Sequence, residues 1–120
     1  MNSLSAGLSD MVFCRTSLDR GTLGGILNVV RQIVSEEQAP DLSLRQMGIL
    51  LLTATEAGTA TVKSLSNDLN ISRPAVSRAL DRLEAEGFVR RMPHLTDRRM
   101  VVLEVVPSGW RYLATAVDRQ

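Results

Sequence analysis

Arg73, Ser77 and Arg78 recur at the spacing of an α-helix, and farther along Arg98 and Arg99 stand together beside Asp97. Guanidinium forks donate paired hydrogen bonds to guanine edges and phosphate oxygens, and a serine hydroxyl serves either partner. The set suits a nucleic-acid groove better than a reaction centre. No Ser, His and Asp occur together in a catalytic context, and the chain has 1 His. No glycine-rich nucleotide loop precedes a Lys-Ser/Thr pair, and no His, Cys and carboxylate cluster has metal-ligand spacing. Glu36-Glu37 and Glu84-Glu86 fall on expected solvent faces. The expectation is a protein that is not an enzyme and carries no cofactor.

The elements that must position these residues are legible. Val62, Leu65 and Leu69 mark one stripe of a short helix after a Thr61 N-cap. Asn70 tolerates a left-handed turn, and Ile71 plugs the angle between two helices. Ser72 caps the next helix, Pro74 lies in its first turn where no intrahelical N–H is needed, and Gly87 ends it with Phe88 folding back. On a wheel of about 100° per residue with Arg73 at zero, Val76, Ala79, Leu80 and Leu83 cluster at about 240–340°. Arg73, Pro74, Ser77, Arg78, Asp81 and Arg82 fill about 0–180°. One face is core and the other can hydrogen-bond.

Val89-Arg90-Arg91-Met92 and Met100 to Val106 are rich in β-branched residues, with Pro93 to Asp97 as a hairpin loop between them. At the tip, Arg98 and Arg99 can reach a narrow minor groove, and Asp97 can hold one guanidinium in a bidentate pair. His94 in this loop either touches phosphate or is an exposed loop residue without function. Met92 and Met100 are expected to pack beneath the hairpin.

The run Ile71-Ser72-Arg73-Pro74-Ala75-Val76-Ser77-Arg78, then Leu83-Glu84, Gly87-Phe88-Val89, Asp97-Arg98-Arg99 and Val105-Val106-Pro107-Ser108-Gly109, resembles the winged helix-turn-helix of the multiple antibiotic resistance regulator (MarR) family. The resemblance covers about residues 42 to 115. It implies a mainly α fold with a small β-hairpin wing, flanked by N- and C-terminal dimerisation helices. It also implies a dimeric bacterial or archaeal transcription factor, a repressor by family default, on a pseudo-palindromic operator. The recognition helix would enter the major groove and the wing the minor groove. The implied DNA-contacting residues are Arg73, Pro74, Ser77 and Arg78 with Arg98 and Arg99. Ser72, at the leading end of the helix, is counted with them, and the wheel adds Arg82. A small-molecule effector of unidentified chemistry is a partner that the family often has.

Net charge is only +1, so overall basicity does not argue for nucleic acid. Its distribution does: residues 1–60 carry 4 Arg against 6 acids, whereas residues 61–120 carry 10 Lys or Arg against 7 acids. A local field around the motif fits site-specific binding. At 120 residues with 44% hydrophobic content, one domain with a small core is expected. The N-terminus lacks a secretory pattern and no stretch approaches membrane-spanning length, so the expected location is cytoplasmic, without a membrane partner.

Residues 1–18 read as a partly ordered arm, and residues 19–120 as a single domain. Within it, 19–38 and 108–120 are the dimerisation helices and 43–106 the DNA-binding lobe. Leu23, Ile26, Leu27 and Val30 give the first helix an apolar face from Thr22 to about Gln38. Gly24-Gly25 weaken that helix and allow another backbone to approach closely. Ser43 and Gln46 form a capping box for the helix that follows. Trp110, Leu113 and Val117 form a stripe on a short last helix, expected to pair with the first across a twofold axis.

Two other readings stay open. The same fold can bind protein instead of DNA, because function belongs to the site and not to the fold. Cys14 can be a redox sensor, as an N-terminal cysteine is in some members of the family, although its neighbours lack the aromatic setting of those sensors.

Overall fold

The computed structural model describes residues 19–117. The expected arm, with Cys14, and the last three residues lie outside the described residues. Seven elements follow one another: α1 Arg20–Ser35, α2 Leu44–Thr55, α3 Val62–Leu69, α4 Arg73–Ala85, β1 Val89–Pro93, β2 Val101–Val105 and α5 Pro107–Val117. The two strands pair antiparallel, with Val89 opposite Val105 and Pro93 opposite Val101. The mainly α winged helix-turn-helix expected from sequence is the fold observed.

Local chemistry sets the boundaries. Ser43 Oγ accepts from the Gln46 amide at 3.0 Å while Gln46 Oε1 accepts from the Ser43 amide at 2.9 Å, the reciprocal box expected at the start of α2. Thr61 and Ser64 form a second such box on α3, which the sequence reading had reduced to a single cap. Asn70 is left-handed at φ 55, and Ser72 Oγ accepts from the Ala75 amide at 3.2 Å to open α4. Gly87, at φ 78, closes α4, with its own N–H donating to Glu84 and that of Phe88 donating to Leu83, a Schellman ending. The first helix starts two residues before Thr22 because Asp19 Oδ1 accepts from the Gly21 amide at 3.0 Å. It ends at Ser35, short of the expected Gln38.

Packing sets the arrangement. Ile49 and Leu50 of α2, Leu65 of α3, Val76, Leu80 and Leu83 of α4 and Leu103 of β2 are all fully buried in one core. Burial of each such side chain contributes about 1.5–3 kcal/mol, against about 1 kcal/mol for a helix cap. The core therefore fixes how the helices cross, and the caps fix where they begin. The hairpin is tied in by the Leu103 amide, which donates to the Ala60 carbonyl at 2.9 Å, and by the Val106 amide, which donates to Phe88 at 2.9 Å.

Helix α5 crosses close to the end of α4. Ser108 Oγ donates to the Gly87 carbonyl at 2.5 Å, and Phe88 stacks on Tyr112 with ring centroids 4.7 Å apart. Gly109, Tyr112, Leu113 and Ala116 form its inward face. Leu113, expected on the dimer stripe, instead sits in the protomer's own core, because the inward stripe runs through it one turn after Gly109. Trp110 and Val117 do face outward, about half exposed.

Helix α1 packs along α5 yet has no buried residue, and Leu23, Ile26, Leu27 and Val30 remain half exposed or more. A Cβ at Gly24 or Gly25 would meet nothing within 4 Å. The close backbone approach expected there is not made among the described residues.

A Cβ at Gly109, by contrast, would land on the Phe88 carbonyl oxygen, well inside contact distance, and 2.8 Å from Val105 Cγ1. Gly109→Ala is predicted to destabilise the fold by about 1–3 kcal/mol through overpacking. Equilibrium urea unfolding measures this, and an unchanged midpoint would refute the tight crossing of α5 over Phe88.

Candidate nucleic-acid interface

Helix α4 presents its polar face from the core outward. Ala75, Val76, Ala79, Leu80 and Leu83 are buried, whereas Arg73, Pro74 and Arg78 are exposed and Ser77 is half-buried. Arg73 and Arg78 have no ion-pair partner among the described residues. Ser72 is exposed at the leading end, its oxygen accepting the cap bond and its hydroxyl hydrogen left to donate.

Arg91 on β1 fastens the wing to this helix. Its Nη1 pairs with Glu84, while Nη2 donates to Asp81 Oδ1 at 3.1 Å and to the Ser77 carbonyl at 3.4 Å. Ser77, Asp81 and Glu84 lie on one stripe of α4, so a single side chain of β1 spans that stripe and holds the strand against the same helix. By its sequence position alone Arg91 belongs only to a strand. Its partners are seven to fourteen residues away, a separation that no local spacing rule covers. The same contacts correct the placing of Glu84 and Glu86 on free solvent faces: Glu84 holds Arg91, and Glu86 holds Arg82 Nε at 3.0 Å. Arg82, expected on the reading face, is thereby half-buried and paired toward the far end of the helix.

At the tip, Arg98 and Arg99 are exposed. Asp97 Oδ1 accepts from both the Arg99 amide at 3.1 Å and Arg99 Nε at 3.3 Å. This supports the wing as expected, but through one carboxylate oxygen and not a bidentate pair, since the i, i+2 spacing in a turn presents only the Nε edge. Arg99 still exposes 92% of its side chain, so the tether orients its backbone end and leaves the guanidinium outward. His94 is not a fully exposed residue without a role. It is half-buried, and its Nδ1 accepts from the Thr96 amide at 3.2 Å and the Asp97 amide at 3.1 Å, which shapes the turn and places the ring proton on Nε2. Met92 lines the groove beneath the hairpin, whereas Met100 is 42% exposed and does not pack there.

A cleft of about 360 Å³ lies between the end of α1, the 36–40 turn and α5, lined in part by Ile33, Phe88, Arg111 and Tyr112. The Tyr112 hydroxyl is buried without a hydrogen-bond partner among the described residues, and burial, helped by the negative charge of Asp41, raises its pKa above the usual tyrosine value. Among the described residues no cluster of His, Cys, Asp and Glu can hold a metal, and no helix is long and apolar enough to cross a membrane.

A sequence model of the MarR family matches residues 42–101, which run from the start of α2 through the wing. An HTH-type transcriptional regulator of Bacillus subtilis, YfiV, is 38% identical over 76 residues, covering 63% of this chain and 47% of that protein. The chain spans about half the length, or less, of the curated relatives it matches first. Among solved structures, the transcriptional regulator BldR of Sulfolobus solfataricus superposes with a TM-score of 0.61 at 27% identity, over 98% of this chain and 78% of that one. FabT of Streptococcus pneumoniae, solved in complex with DNA, shares the fold with a TM-score of 0.60 at 22% identity, over 76% of this chain and 64% of its own.

Two outcomes follow from this geometry. Arg91→Met keeps much of the aliphatic stem but strands Asp81 and Glu84, both open to solvent, on α4; it is predicted to cost about 1 kcal/mol and to raise hydrogen exchange in the wing before the core. Equal exchange in the wing of both proteins would show that Arg91 does not couple it to α4. For Tyr112, a phenol whose folded pKa lies above its unfolded one keeps its full contribution to stability below about pH 10. That contribution falls as pH rises from the unfolded toward the folded value, so Tyr112→Phe should flatten the alkaline loss of stability. Identical alkaline unfolding curves would contradict the burial of this hydroxyl.

Proposed function

Because the chain belongs to the MarR family, we propose that it is a transcriptional regulator binding a specific double-stranded DNA site, α4 in the major groove and the wing in the adjacent minor groove. The observation that carries this reading is one arrangement: Arg73 and Arg78 exposed and unpaired on α4, with Arg98 and Arg99 exposed on a hairpin that Arg91 holds against the same helix. A winged helix built to bind protein has no need of cations on both elements at once. Arg73 and Pro74, nearest the leading end of the helix, meet base edges, with Ser77 behind them. Arg98 and Arg99 meet the minor groove, whose potential is most negative where it is narrow.

A homodimer on a pseudo-palindromic operator, acting as a repressor, completes the proposal. The apolar stripe of Leu23, Ile26, Leu27 and Val30, together with Trp110 and Val117, supports it, since side chains left half exposed in a row on one chain gain their burial from a second copy. Two recognition helices can then meet successive major grooves about 34 Å apart.

Selection of bound fragments from source genomic DNA, followed by affinity measured against salt, tests both parts. A specific duplex is predicted to show log affinity falling steeply with log salt, by about 0.9 per phosphate neutralised. Arg73→Ala should cost about 1–3 kcal/mol on the selected site and relax its base preference. Arg98→Ala or Arg99→Ala should weaken binding mainly at A·T-rich flanks. A flat salt dependence without sequence preference would favour a protein-binding module. A monomer in sedimentation at micromolar concentration, with or without the duplex, would refute the dimer.

A further inference from the structure

A second polar surface borders α4 on a different stripe from the one that Arg91 grips. A cleft of about 210 Å³ separates α4 from the start of α2 and is lined by Ser43, Arg45, Gln46, Ala75, Arg78 and Ala79. The alanines make a low floor, so the long side chains stand at its rim. Arg45 and Arg78, from different helices, have no ion-pair partner among the described residues, and no carboxylate lines the cleft. Ser43 Oγ and Gln46 Oε1 each already accept one bond in the α2 capping box. The Ser43 hydroxyl hydrogen and the Gln46 NH₂ remain to donate. Every polar side chain of the cleft therefore has hydrogen to donate, and two of them carry positive charge.

Such a site repels a cation and offers nothing to a neutral acceptor that water does not. It matches an oxyanion with several lone pairs, which guanidinium forks engage two oxygens at a time. The cleft opens at the Pro74–Arg78 edge of the polar face of α4, where the sugar–phosphate wall of a groove would pass if the helix entered it. We infer that Arg45 and Arg78 form a phosphate-binding site, filled by one backbone phosphate of the duplex. This rests on the DNA-binding reading above and divides the labour on α4: Arg73 reads bases, whereas Arg78 turns to the backbone with Arg45. The sequence reading missed Arg45 because nothing within its own helix marks it. Only the packing of α2 against α4 brings it to Arg78.

Full-length protein bound to its selected duplex and to a scrambled duplex of equal length tests the site across a salt series. Arg45 is exposed, so Arg45→Ala should leave the thermal midpoint unchanged. It should weaken both duplexes several-fold by the same factor, keep the ratio between them, and lower the magnitude of the salt slope by up to about 0.9 at each half-site, about 1.8 for the proposed dimer. Arg45→Lys, which keeps the charge and loses the fork, should restore the slope and only part of the affinity. Phosphate ethylation interference should reveal one phosphate per half-site whose ethylation hinders the wild type more than it hinders Arg45→Ala, which keeps Arg78 against that phosphate. A steep wild-type slope that Arg45→Ala does not change would overturn this site and leave the DNA reading intact. A flat wild-type slope would overturn that reading first. Inorganic phosphate, exchanged for chloride at constant ionic strength without DNA, separates the two sources of the anion. Stabilisation of the wild type but not of Arg45→Ala, with both proteins identical on DNA, would assign the cleft to free phosphate and overturn its assignment to the duplex.

Discussion

The coupling of Arg91 to Glu84, Asp81 and the Ser77 carbonyl is the interaction on which the outer surface depends. A two-stranded hairpin alone is at best marginally stable in water. Here one guanidinium on β1 reaches three positions along a single stripe of α4, which fixes the distance between wing and helix. The same contact has an electrostatic consequence. Asp81 and Glu84 sit on the helix that carries Arg73, and left free they would cancel its field. Arg91 neutralises them, as Arg82 neutralises Glu86 and Arg90 neutralises Glu104. Arg45, Arg73, Arg78 and Arg98 are among the exposed cations that have no ion-pair partner among the described residues. A chain of net charge +1 thereby acquires a surface that is locally cationic.

The parts legible in the sequence are those governed by short-range chemistry. Ser43 with Gln46, Thr61, Asn70, Ser72 and Gly87 each appear in the expected role, because a cap or a left-handed turn involves residues within five of one another. The inward and outward faces of α4 were legible as well, since a helix of 13 residues samples its stripe several times. Helix α5 has 11 residues and three large side chains on the chosen stripe, and there the assignment slipped: Leu113 turned inward beside Tyr112, while Trp110 and Val117 stayed out. Arg91, His94 and Arg45 were not legible as site residues. Their roles come from contacts made across the fold, between strand and helix, around a loop, and between two helices.

Helix α1 shows the opposite side of the same physics. Its capping and apolar spacing are clear, but it has no buried residue, and the cores of α2 to α5 close without it except at Ile33. Gly24 and Gly25 sit in open space on this helix, where each costs about 1 kcal/mol relative to Ala. In the proposed dimer both features have a use: the apolar row gains its burial from the second copy, and the glycines admit that copy's backbone. The cleft beside Tyr112 lies where α1 meets α5.

Hydroxyl-radical footprinting on the selected site tests most directly the claim that one rigid unit of helix and wing sits in neighbouring grooves. The account predicts two protected windows related by a dyad, one helical turn apart or a multiple of it, each flanked outward by protection across the minor groove that Arg98→Ala removes while the inner window persists. Continuous protection along the duplex, or a footprint that ignores the wing substitution, would contradict it.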